Sequence, residues 1–241
     1  MCLARKILLL IIICLGFTTA HAQRELLAED RTNKNDTTPS FGINERNYFH
    51  FRSGIGLIVG PSGSGVEIGY GRSLEAYTGF RYKRKLSGMF SIGLEPAYKY
   101  TGFNISNKDS STFLDNYIWG KDTLHNRHKI GLHTASLGAF FRINFDPRRG
   151  NHMGTYLDLG AAGDYIFSNE YITRGEKRDG TLVKTKFTRN PFISRFQYYY
   201  NAKLGHNWLA LTFSYRPSPV FKNSYNFPAL PRYIVGIELN R

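Results

Sequence analysis

One two-faced pattern recurs from residue 48 to the end of the chain, and it limits the fold more than any other feature. In HTASLGAFFRINFD (133–146), Ala135, Leu137, Ala139, Phe141, Ile143 and Phe145 share one parity. Thr134, Ser136, Gly138, Arg142 and Asn144 share the other, with Phe140 as an exception. Successive side chains of a strand point to opposite faces, so this stretch has one apolar face and one small, polar or charged face. The split returns in 88–101, 153–167, 192–204, 208–216 and 233–240. Helical periodicity is nearly absent.

The first third of this region is less regular. Residues 48–60 place Ile55, Leu57 and Val59 together, and GPSGSG (60–65) reads as a turn. From Val66 through Ile68, Tyr70, Leu74, Ala76, Thr78, Phe80 and Tyr82 one parity is kept across Arg72, so 66–82 reads as a single long strand. This gives eight strands. A split of 66–82 at Arg72 and Ser73 would give nine, and ten is the alternative if part of 181–188 also contributes strand.

The connections alternate in length. Segments 83–87, 146–151 and 205–207 are short; 104–127, 169–191 and 217–230 are long. Tight turns at one end and long loops at the other are the arrangement of outer-membrane barrels. The expected fold is therefore all-β: a closed antiparallel up-and-down transmembrane β-barrel over 47–241. Period two does not say which face is inside, and a periplasmic lipocalin-like binder would turn the apolar face inward. Alternating loop lengths, a charge-balanced polar face and Tyr and Phe near strand ends favour the membrane.

The N-terminus agrees with export. Arg5 and Lys6 precede an apolar run over 7–17, and Ala20-His21-Ala22 supplies a small-x-small junction. That order predicts a signal peptide over 1–22, cleaved after Ala22, and delivery to the cell outer membrane. Residues 23–46 are polar and predict a flexible periplasmic segment. Both cysteines, Cys2 and Cys14, fall in 1–22, so the expected mature chain cannot form disulfides or use thiol chemistry. Without Arg5 and Lys6 the 32 basic residues become 30 against 18 acidic, a formal +12. In an exported chain this charge points away from nucleic acid and toward outer-membrane lipid, lipopolysaccharide or acidic envelope proteins.

If the apolar face meets lipid, the other parity lines the lumen. It carries Arg52, Arg81, Lys83, Lys99, Arg142, Arg195, Lys203 and Arg216 against Glu67, Glu75, Glu95, Asp158, Asp164 and Glu238. An eight-stranded barrel is only wide enough inside for its own side chains, and charges buried there must be paired. A salt-bridged lumen without a conducting pore follows. The surplus cations then lie elsewhere. Arg174, Lys177, Arg178, Lys184, Lys186 and Arg189 in one long connection, and Arg148 and Arg149 in a turn, are candidate contacts for anionic lipid or a partner.

Catalytic constellations are weak. His133 and Ser136, and likewise His50 and Ser53, are three apart and so fall on opposite strand faces. His125, His128 and Asp122 are placed in or beside a long loop, where histidines are usually solvated. No metal or cofactor is expected. The reading is a non-catalytic structural or interaction protein acting through its long loops, including Trp119 and 170–189. An outer-membrane lipid-modifying enzyme ranks lower.

The stretches FRSGIGLIVG and GVEIGYGR, FSIGLEPAYKYTGFNI, and the closing RYIVGIELNR resemble the Bacteroidetes-type outer-membrane β-barrel family, which includes PorT-like proteins. The resemblance spans about 48–241. It implies a barrel in the outer membrane and, as an alternative role, an accessory part of a secretion or surface-assembly machinery.

Overall fold

The computed structural model describes residues 45–62, 67–106, 125–145, 154–176, 182–225 and 227–241. The signal-peptide expectation and nearly all of 23–46 lie outside them. The strands are β1 (Asn47–Val59), β2 (Glu67–Ile68), β3 (Leu74–Lys85), β4 (Phe90–Ser106), β5 (His125–Asn144), β6 (Thr155–Glu176), β7 (Leu182–Thr188), β8 (Phe196–His206), β9 (Leu209–Tyr215) and β10 (Tyr233–Asn240). Eight of these are staves. They pair antiparallel in the cyclic order β1, β3, β4, β5, β6, β8, β9, β10, and β10 returns to β1 to close the barrel. Each stave thus has a ladder partner on both sides, and the barrel closes on itself.

The other two strands extend the wall at the end with the long connections. β2 pairs with the end of β4, and β7 pairs with the upper part of β6. So 182–188 is strand, yet it is not a stave: ten strands build an eight-stave barrel. β5 and β6, at 20 and 22 residues, run about 65–75 Å at ~3.3 Å per residue. That is about twice what crossing a bilayer requires.

The sequence expectation for 66–82 needs correction. Between the pairs Ile68↔Ile105 and Leu74↔Gly102, the β2–β3 track spends six residues against three on β4. The difference forms a turn at Tyr70–Arg72, with Gly71 at a φ of 77°. An odd excess reverses parity. Ile68 is therefore buried, while Thr78 and Phe80 on β3 lie on the outer face. A second reversal occurs where His133 pairs with Ser168 but Thr134 pairs with Ile166, leaving Phe167 as a bulge.

Side chains on the outside are apolar around the whole circumference. Exposed Ile55, Phe80, Leu94, Leu137, Leu159, Tyr198, Leu211 and Ile237 represent the eight staves in turn, and Leu137 and Leu211 are 60 % and 61 % exposed. Aromatic rings gather toward both ends of this belt. Phe49, Phe90, Phe145 and Trp208 lie near the short turns; Tyr98, Phe167, Phe196 and Tyr233 lie toward the long connections.

The interior has two tiers. The tier nearer the short turns is polar and charged. The tier at the long-connection end is apolar and was not foreseen. It packs Ile58, Ile68, Phe103, Ile130, Leu132 and Tyr171 from the strands against Phe192, Ile193, Val220, Phe221 and Leu230 from the connections. Segment 189–195 meets segments 216–225 and 227–232 over the mouth. Ser194 N donates to Val220 O at 2.9 Å and Lys222 N to Phe192 O at 2.9 Å. The Phe192 and Phe221 rings meet Phe227 edge-on at 5.4 and 5.0 Å. Each large side chain fully buried here contributes about 1.5–3 kcal/mol by removal from water.

Candidate functional site: the lumen charge network and the outer basic face

In regular strands, parity alone aims the charged residues inward. Glu95 and Lys99 on β4, Arg142 on β5 and Asp158 on β6 are all buried. Arg142 and Asp158 are direct cross-strand partners, and the guanidinium forks onto the carboxylate at 2.6 and 2.8 Å. The Arg142 guanidinium also lies 3.7 Å over the Tyr156 ring.

Arg81, on β3, sits at the centre with no exposed surface. It contacts Glu95 at 2.6 Å, Glu238 at 3.0 Å and Asp158 at 3.1 Å, and its guanidinium lies 4.7 Å over the Phe140 ring. This accounts for the apolar exception in the polar face of β5. Arg52 reaches Glu238 at 2.9 Å and Glu95 at 3.3 Å. Lys203 reaches both carboxylates as well, at 2.9 Å to Glu95 and 3.0 Å to Glu238. Tyr77 donates its hydroxyl to Glu238 at 2.9 Å.

A second group lies beside the first. Lys99 contacts Asp164 at 3.0 Å and Glu75 at 3.8 Å, and its ammonium sits 3.6 Å over the Tyr199 ring. Thr101 donates to Glu75, and Ser136 and Tyr199 share a hydrogen bond at 3.1 Å. A void of about 20 Å³ remains among Lys99, Tyr199, Asn201 and Lys203, room for about one water. Buried Arg216 donates to the Pro231 carbonyl at 2.9 Å and lies 5.2 Å from the Phe103 ring centre, under the apolar tier.

Two residues assigned to the lumen fall elsewhere or beyond description. Arg195 is exposed, because β8 begins at Phe196 and the alternation does not extend back into the preceding bend. The Glu67 side chain is outside the described residues, and the parity that placed it inside fails at the β2–β3 turn. Tyr77, Tyr199 and Asn240, whose Oδ1 accepts from Arg81 at 3.3 Å, were missed as partners, since a search for charge passes over neutral side chains on the inward parity.

The histidine readings also change. His128 is not a loop residue: β5 starts at His125, and His128 is buried with its Nδ1 2.8 Å from the Tyr171 hydroxyl. Asp122 and the His125 side chain lie outside the described residues. His133 faces outward and Ser136 inward. The register sets Ser168 opposite His133, but His133 Nδ1 bonds the Tyr98 hydroxyl at 2.6 Å.

Of the candidate lipid or partner contacts, Arg174, Lys184, Lys186 and Arg189 are exposed at the long-connection end. Lys186 is ion-paired with Glu170, and that hydrogen bond holds the Glu170 carboxyl below its usual range. Lys177, Arg178, Arg148, Arg149 and Trp119 lie outside the described residues.

No protein-family model matches the chain, and no curated protein sequence matches it. Among solved structures it is similar to Ail, the attachment invasion locus protein of Yersinia pestis, solved in complex with the heparin analogue sucrose octasulfate. That match has 9 % identity and a TM-score of 0.36, covering 82 % of this chain and 100 % of that one. It is also similar to a major outer membrane protein of Thermus thermophilus, at 10 % identity and a TM-score of 0.37, with 82 % and 100 % covered. The fold assignment rests on the strand pairing of the chain itself.

Proposed function

We propose that this protein is an integral outer-membrane barrel without catalytic activity, acting as a structural and interaction protein through its surface at the long-connection end. The observation that carries the reading is the inversion of the faces. Apolar side chains cover the outside of all eight staves, while Arg81, Glu95, Arg142, Asp158 and Glu238 are wholly buried within. A water-soluble barrel has the opposite arrangement, and soluble monomers rarely expose continuous apolar patches beyond a few hundred Å². The two aromatic girdles then lie at the two membrane interfaces, and the short turns face the periplasm.

The lumen reading follows from the same arrangement. Paired charges fill one tier and apolar side chains the other, so the barrel is plugged and conducts no ions. The His and Ser of β5 are divided by the wall itself: His133 faces outward, with its Nδ1 bonded to Tyr98, and Ser136 faces inward, bonded to Tyr199.

Extraction and conductance test the proposal. The protein stays in carbonate-washed envelopes and leaves them only with detergent, and in planar bilayers it shows no stable conductance. Release by carbonate alone contradicts the membrane reading, and a steady open channel contradicts the plugged lumen. A PorT-like accessory role predicts a defined set of secretion components in cross-linked envelopes, whereas the structural reading predicts lipid and lipopolysaccharide without them.

A further inference from the structure

Beyond the aromatic girdle at the long-connection end, strand register lines up basic residues in rows across β5, β6 and β7. Arg127, Arg174 and Lys184 hold the three places of one row; Lys129, Ile172 and Lys186 hold those of the next. Arg174 and Lys184 are direct cross-strand partners, and both side chains are exposed. Like charges directly opposite, with Cβ atoms about 4.5–5.5 Å apart, destabilise a strand pair. Among the described residues no carboxylate lies within ion-pair distance of either. Glu170, which shares this face, is already held by Lys186.

Such a cation pair is relieved by an anion seated between the two. Its height indicates which anion. Tyr98, His133 and Phe167 form a ring cluster lower on β4, β5 and β6, with His133 within 6.2 Å of Tyr98 and 6.4 Å of Phe167 between ring centres; from Ser168, opposite His133, to Arg174 is six residues, about 20 Å along the strand. Amphipathic aromatics of this kind sit at headgroup level. Lys129 extends over Tyr100, 5.4 Å from its ring centre, and so stands between the aromatic and basic levels.

We propose that this face binds phosphate groups of an outer-leaflet lipid, with Arg174 and Lys184 holding one phosphate between them and Lys129 and Lys186 flanking it. The inference rests on the outer-membrane reading and names a ligand class for its surface. The phosphate is lipid-borne, because the cations stand beyond the aromatic girdle on an open outer wall, within reach of a headgroup that projects from the membrane, and not in a closed pocket.

The test uses the full mature chain in a non-ionic detergent, with native mass spectrometry and titration of a glycolipid bearing phosphate monoesters. The same glycolipid without phosphate and inorganic phosphate alone are the comparison arms. The wild type retains the phosphorylated lipid at least about tenfold more tightly than the dephosphorylated one, equivalent to about 1.4 kcal/mol, and R174Q/K184Q loses that preference. R84Q/K85Q, at the opposite end of the barrel, keeps it. Gel mobility before and after boiling verifies that each variant is a folded barrel. Equal binding of the two lipids, an unchanged R174Q/K184Q, or displacement of the lipid by equimolar inorganic phosphate overturns the proposal. A protein that resists carbonate extraction yet fails these tests refutes this inference alone; one that is extracted refutes the membrane reading itself.

Discussion

Lys203 on β8 and Glu95 on β4 are three staves apart around the barrel, yet the ammonium lies 2.9 Å from the carboxylate. The contact spans the lumen, and Arg52, Arg81 and Glu238 share it. In this group Arg52, Arg81, Arg142 and Lys203 face Glu95, Glu238 and Asp158. The excess of cations makes the two partners unequal. Glu95→Gln leaves buried guanidinium and ammonium groups short of counter-charge and is expected to cost about 3–5 kcal/mol. Lys203→Met leaves three cations and three carboxylates and costs less than half as much. Urea unfolding in lipid vesicles measures both. Equal losses would show that the contact acts as an isolated pair.

The apolar tier makes a separate prediction. Phe221 is 5 % exposed and packs against Phe192, 6.0 Å away between ring centres. Phe221→Ala leaves a cavity under the connections and is expected to destabilise by about 3–5 kcal/mol. The charged tier below is untouched, so planar-bilayer recordings of this variant remain closed. A conducting Phe221→Ala barrel would locate the barrier to ions in the mouth and not in the charge network.

Packing at Gly205 gives a third. A Cβ built there falls 2.1 Å from Cζ of Tyr156, whose ring covers the backbone of the neighbouring strand. The same ring lies under the Arg142 guanidinium. Gly205→Ala must displace Tyr156 and with it the Arg142–Asp158 fork, at about 1–3 kcal/mol for the overpacking. Hydrogen exchange reports it as faster opening of β5 and β6 near residues 142 and 158. Unchanged exchange there would mean that Tyr156 moves aside freely.

How far the sequence could be read depended on where the strands stay regular. The alternation over 90–101 was enough to put Glu95 and Lys99 on one face, whereas the cross-strand place of Asp158 beside Arg142 is set by the strand register, which parity does not give. Parity carries no information across an odd insertion. The Tyr70–Arg72 turn placed Ile68 inward, and the Phe167 bulge shifted the pairing so that Ser168, not Phe167, sits opposite His133. Arg195 was misplaced because one bend separates it from a regular strand. The apolar tier was hidden for a different reason. Phe192, Val220 and Phe221 belong to connections, where no period exists, and their burial follows only once the staves have formed a mouth for them to fill.

A polar lumen at the level of the charge network and a lipid-facing outer wall place adjacent residues of one stave in opposite surroundings. Residues 23–241 contain no cysteine, so single cysteines can be placed freely. Leu137 is 60 % exposed and its neighbour Ser136 is 5 % exposed. Leu137→Cys and Ser136→Cys, each carrying a small fluorophore, are reconstituted in vesicles of brominated lipid. Strong quenching is expected at position 137, and at 136 either no labelling of the folded barrel or no quenching. Quenching at 136 without quenching at 137, or equal quenching at both, would contradict this placement.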